Sequence, residues 1–72
     1  MKIVVNNYEN NEVFKIIREW TGMTQSELAK ELGRKSRDGI TKIETGQNDF
    51  YFSTLMKILK KHNMIMTIEK KG

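Results

Sequence analysis

The sequence predicts an all-α fold, a bundle of four or five short helices with a short β-strand at each end. Three observations predict it. Apolar residues recur at three- and four-residue intervals in four successive segments, as helices with one buried face require. Glycines 22, 33 and 46 fall where the first three segments would stop, and the chain has no proline to interrupt any of them. Residues 2–5 and 64–69 alone carry strand-like patterns.

The opening Lys2-Ile3-Val4-Val5 is short and β-branched, which suits a strand, and the polar run Asn6 to Asn11 that follows suits a turn. From about Asn10 to Thr21, Val13, Ile16, Ile17 and Trp20 repeat at helical spacing with Phe14 beside them. Asn10 or Asn11 is placed to cap that helix and Gly22 to end it. Thr24-Gln25-Ser26-Glu27 has the form of a capping box, in which a hydroxyl and a carboxylate satisfy orphan amides at a helix start. Leu28, Ala29 and Leu32 form the buried face of this short second helix, and Gly33 its left-handed stop.

After the turn Gly33-Arg34-Lys35, Ser36 suits the N-cap of a third helix whose buried face is Ile40 and Ile43 and whose stop is Gly46. Helices this short are not stable alone and must pack on one another. A fourth helix reads from about Phe52 to His62, with Phe52, Leu55, Met56 and Leu59 at i, i+3, i+4 and i+7. In the tail, Met64, Met66 and Ile68 alternate with Ile65, Thr67 and Glu69, a period-two pattern that fits a strand pairing either with residues 2–5 or across a dimer axis.

The bulk properties narrow the function. At 72 residues the chain is expected to be one domain, residues 1–72 with a helical core at 10–62, near the lower size at which a single core sustains a fold. It has no cysteine and one histidine, which leaves no disulfide framework, thiolate metal site or catalytic triad. No metal or cofactor is expected, and no enzyme. The longest apolar runs, Ile3-Val4-Val5 and Met64-Ile65-Met66, are far too short to span a membrane, so the expected location is cytoplasmic.

The net charge is +4, compatible with a polyanionic partner. Its distribution says more than its total. Between Lys30 and Lys42 stand five basic residues, Lys30, Arg34, Lys35, Arg37 and Lys42, against two acidic ones, Glu31 and Asp38.

Here an ordered set of fragments meets a family. Ile17-Arg18, Gly22-Met23-Thr24-Gln25, Glu27-Leu28-Ala29, Leu32-Gly33 and Ile40-Thr41-Lys42-Ile43-Glu44-Thr45-Gly46, followed by Leu55, resemble the phage repressor/Cro (Xre-like) helix-turn-helix signature across roughly residues 13–62. The resemblance implies a lambda-repressor-like bundle, double-stranded DNA as partner, a homodimer on a palindromic operator, and a role as transcriptional repressor or autoregulator.

Physics gives that motif its purpose. A major groove admits one α-helix, so one face of the helix must be buried and the other must carry side chains that reach base edges. With Ile40 and Ile43 inward, the 100° step per residue turns Asp38, Thr41 and Lys42 outward, with Arg37 beside them. Arg37 and Lys42 suit guanine O6/N7 or a phosphate, and Asp38 suits cytosine N4. Asp38 also suits the first turn of any helix, so the sequence leaves both roles open.

By the resemblance, Gln25 contacts the DNA backbone, and Ser36, Arg34 and Lys35 complete the DNA-facing set. The family also pairs an arginine of the first helix with a glutamate closing the third, which transfers to Arg18 and Glu44 as a structural pair. Gly39 costs helix stability of about 1 kcal/mol relative to alanine. It either permits close approach to DNA or is merely tolerated.

Two features depart from the family pattern. Arg34 and Lys35 stand where one residue, usually apolar, is common, so the turn is one residue longer and more basic. The loop Gln47-Asn48-Asp49 lacks the usual cations, and Phe50 stands where proline is common, so phosphate contacts from that loop are expected to be weak. The C-terminal strand is similar to one that takes part in dimerisation in HipB-like antitoxins, which implies a second role, binding and neutralising a toxin protein. The longer turn with Asp38 and Asp49 also leaves open an interaction module that does not bind DNA.

Overall fold

The structure, a computed structural model, describes all 72 residues. Four helices follow one another: α1 (Asn10–Thr21), α2 (Gln25–Glu31), α3 (Asp38–Glu44) and α4 (Phe52–Lys61), after a single 3-10 turn at Val5–Asn7. No helix is long and apolar enough to cross a membrane.

The helix boundaries follow local chemistry. Gly22 closes α1 at φ 78°, in the left-handed region that costs glycine nothing. At α2 the capping box forms as expected: Thr24 Oγ1 accepts from the Glu27 amide at 3.1 Å and Glu27 Oε1 accepts from the Thr24 amide at 2.9 Å. The end of α2 is a complete Schellman turn. The Gly33 amide donates to the Lys30 carbonyl at 3.0 Å and the Arg34 amide to the Ala29 carbonyl at 2.8 Å. This turn fixes where the following chain leaves α2.

Two starts differ from the sequence expectation. The N-cap of α1 is Glu9, whose amide donates to the Glu12 carboxylate at 2.9 Å, and not Asn10 or Asn11. Asn11 turns inward instead, donating to the Glu44 carbonyl at 3.2 Å. Ser36 is not the residue next to α3; that place belongs to Arg37, and the helix begins at Asp38. The longer turn absorbs the difference. Ser36 Oγ still accepts from the Asp38 amide at 3.4 Å, a local serine turn rather than a cap on the second or third helical residue.

All four helices share one core of Val13, Phe14, Ile17, Leu28, Ala29, Ile40, Ile43, Leu55, Ile58 and Leu59. Each fully buried large side chain contributes about 1.5–3 kcal/mol of transfer free energy, so no one helix holds the fold. Phe14 lies near the centre, with its ring centroid 5.0 Å from that of Phe50. An aromatic at position 50 thus fills core space that a proline would leave open. In α4 the buried stripe is Leu55, Ile58 and Leu59, while Phe52 is 61% exposed. The buried face is rotated by about 55°, roughly half a residue step, from the expected one.

The expected strands at 2–5 and 64–69 are absent. Asn6 and Asn7 favour a turn, which draws Val5 into the 3-10 segment, with the Asn7 amide donating to Val4. At the other end Asn63, at φ 56°, breaks α4, and Met64 and Met66 lay their side chains on the core without a ladder. Two lone strands are marginal without a sheet to join.

The ends of α2 and α4 are tied together by a cluster that no local pattern in the sequence announces. Glu31 faces His62 Nε2 at 3.0 Å and Lys61 Nζ at 3.3 Å. His62 therefore serves a carboxylate across the bundle. Hydrogen bonding from His62, then from Lys61, lowers the Glu31 pKa, and the Thr24 amide and hydroxyl lower that of Glu27. A lowered folded-state pKa contributes stability above the ordinary carboxylate value, about 4.3, and loses it as pH falls through the folded value. Acid titration followed by circular dichroism should show stability declining below about pH 4.3, less steeply in Glu31→Gln. An identical acid limb in the variant would remove Glu31 from the account.

Candidate nucleic-acid interface

The interface is built outward from a buried carboxylate. Glu44, the last residue of α3, is 8% exposed. Arg18 of α1 meets it with two hydrogen bonds, Nε to Oε2 at 2.6 Å and Nη2 to Oε1 at 3.0 Å, and its Nη1 donates to the Met23 carbonyl at 2.9 Å. This is the fork geometry that makes arginine–carboxylate pairs strong. The Glu44 hydrogen bond raises the Arg18 pKa above its already high ordinary value, with burial opposing it.

The network continues to the surface. Gln25, the first residue of α2, donates from Nε2 to Glu44 Oε1 at 3.1 Å, and its Oε1 accepts from Thr41 Oγ1 at 2.9 Å. Asn11, Arg18, Gln25, Thr41 and Glu44 thereby link α1, α2 and α3 through one polar chain, and no buried side-chain polar atom lacks a partner. Gln25 uses both ends of its amide within the protein. The sequence pattern showed where Gln25 and Thr41 stand in their helices, but not that one hydrogen-bonds the other.

The network and the core together set the face that α3 turns to solvent. Ile40, Ile43 and Glu44 are buried, whereas Arg37, Asp38 and Lys42 are exposed. At 100° per residue, Asp38 and Lys42 lie within about 30° of the direction opposite the buried face, and Thr41 and Gly39 about 80° to either side. Thr41 is the flank that faces Gln25. The turn residues Arg34, Lys35 and Ser36 are exposed too. Arg34, Lys35, Arg37 and Lys42 take no part in any of the ion pairs of the protein, which involve Arg18, Lys61 and His62. Four cations without carboxylate partners, against the one carboxylate of Asp38, give this short helix and the turn before it a net positive face.

That face has the form required to enter a groove: one helix, anchored from behind by α1 and α2, with its long side chains unengaged. The loop Gln47-Asn48-Asp49, also exposed, carries no cation.

Comparisons with known proteins agree with the geometry. The profile of the helix-turn-helix family (HTH_3) matches residues 14–64. No curated protein sequence matches the chain. Among solved structures, a chain of a structure described as a HipA-HipB-O2-O3 complex is similar, with a TM-score of 0.59 and 31% identity, covering 100% of this chain and 99% of that one.

Proposed function

The chain belongs to the helix-turn-helix family, and from that premise we propose that it is a sequence-specific regulator of transcription, a repressor or autoregulator that binds a palindromic operator as a homodimer through α3. The observation that carries this reading is the exposed, unpaired set of Arg37, Asp38 and Lys42 on a helix whose other face is locked into the core. Arg37 and Lys42 contact guanine edges or phosphates, Asp38 accepts from a cytosine amine, Lys35, Ser36 and Gln25 meet the backbone beside the groove, and Arg34 stands in the turn next to α3. One such domain touches few bases, and doubling it over two half-sites about one helical turn apart supplies specificity.

Selection from random-sequence duplex DNA, repeated over a salt series, tests the reading. An enriched inverted repeat, with log affinity falling linearly in log salt, supports it. No enrichment and no salt-dependent binding would sink it.

The tail bears on the dimer. Ile65 and Ile68 are 90% and 88% exposed, while Met64 and Met66 between and beside them rest on the core. Ile65 and Ile68, which alternate onto opposite sides of an extended segment, are the apolar side chains that the tail leaves open for pairing with a second copy. The double variant Ile65→Ser/Ile68→Ser should sediment as a folded monomer where the parent sediments as a dimer; unchanged sedimentation would move the interface elsewhere.

A second reading, an antitoxin that also regulates its own operon, is favoured by the full-length likeness to a chain from the HipA-HipB-O2-O3 complex. Its test is co-purification with a neighbouring gene product whose toxicity the chain suppresses.

A further inference from the structure

Gly39 sits within α3, in an ordinary helical conformation, where a glycine weakens the helix and no positive φ demands one. Its surroundings supply a reason. A Cβ built on Gly39 would overlap Arg34 Nη1 and lie 3.6 Å from Arg34 Cζ, and apart from its chain neighbours and the helix's own backbone nothing else comes within 4 Å of it. The missing side chain is therefore a notch, and the guanidinium of Arg34 lies in it.

Both ends of this arrangement are fixed. The Arg34 backbone is held by the Schellman turn, its amide donating to the Ala29 carbonyl at 2.8 Å. Gly39 is fixed by Ile40, which is fully buried beside it. The guanidinium itself stays exposed and has no carboxylate partner. It lies on the flank of α3 next to Lys42, about 160° around the helix from the Thr41 flank that Gln25 occupies. An arginine from the turn is thus carried on the recognition helix as though it were one of that helix's own side chains, and its rigid fork suits guanine O6 and N7.

We propose that Arg34, seated in the Gly39 notch, is a specificity-determining residue that reads a guanine edge beside the bases faced by Arg37 and Lys42. The proposal rests on the DNA-binding reading above. It gives the extra residue of the turn and the helix-weakening glycine one common explanation, since each is useful only with the other.

The test compares the parent with Gly39→Ala, Arg34→Ala, Arg34→Lys and the double variant Gly39→Ala/Arg34→Ala, each by thermal unfolding and by selection from random-sequence duplex DNA. Gly39→Ala should unfold at the same temperature as the parent or higher, because the overlapping atom is the tip of a flexible side chain and alanine favours the helix. It should nevertheless bind the parent's selected site about tenfold more weakly, as should Arg34→Ala, and the double variant should be no weaker than either. All should relax preference at the same base pair of each half-site. Arg34→Lys should keep the salt slope and lose that preference.

Parental affinity and preference in Gly39→Ala would overturn the proposal. So would an Arg34→Ala protein that binds every sequence proportionately more weakly with a shallower salt slope, the signature of a phosphate contact. If Arg37→Ala/Lys42→Ala abolishes selection while Gly39→Ala does not alter it, the DNA-binding reading stands and this proposal falls. If the parent selects nothing, both fall.

Discussion

Glu44→Ala should lower the unfolding free energy by about 3–5 kcal/mol, because it leaves the Arg18 guanidinium beside the core without its carboxylate. The Arg18 side chain is 14% exposed and the Glu44 side chain 3%, so water recovers little of the lost pairing. A domain of this length is stable by roughly 4–11 kcal/mol in all, and the melting temperature should drop by more than about 12 °C. The same change strips Gln25 Nε2 of its acceptor and loosens the Thr41 bond behind it. Arg18→Met/Glu44→Leu, which removes both charges and fills the space, should recover a large part of the loss, since the cost of one orphaned charge exceeds the net worth of the pair. Thermal unfolding of the three proteins decides it. A Glu44→Ala midpoint within about 3 °C of the parent would show that the pair holds nothing together.

Arg37→Ala/Lys42→Ala should fold as the parent does, since both side chains are exposed and neither makes an ion pair. Its affinity for the parent's selected duplex should fall about a hundredfold or more if each side chain contributes a base contact of about 1–3 kcal/mol. The alternative role for either residue is a phosphate contact, and it leaves a different trace: the salt slope shrinks by about one unit per lost contact while sequence preference survives. Binding isotherms at several salt concentrations, on the selected site and on scrambled duplex, separate the two. An affinity within about twofold of the parent on both duplexes would take α3 out of the interface.

These predictions rest unequally on sequence and on fold. Helix existence was legible because each helix carries its own evidence within a few residues: Thr24 with Glu27 at the start of α2, glycines at the stops, and Ile40 and Ile43 one turn apart in α3. Boundaries were less so. Glu9 displaced the two asparagines as cap because its amide found Glu12, and the longer turn moved the start of α3 past Ser36. The α4 face was misjudged by about half a residue step. Phe52, Met56 and Ile58 are all apolar, and periodicity alone does not choose between neighbouring stripes; the space beside Phe14 and Phe50 does.

The Arg18–Glu44 pair was implied only by the family resemblance; the sequence by itself determined that the chain is a helical bundle and that a cluster of its basic residues falls on the third helix and the turn before it. These are local or pattern-borne properties, set by side-chain spacing and hydrogen-bonding capacity within a turn or two. The tertiary structure alone decided that Gln25 bonds Glu44 and Thr41, that His62 reaches Glu31, that the terminal segments form no strands within one chain, and that Arg34 lies over Gly39. Each joins residues on different elements or a loop to a helix. Such a contact depends on the angle at which helices pack, and that angle is settled by the shared core rather than by any one segment.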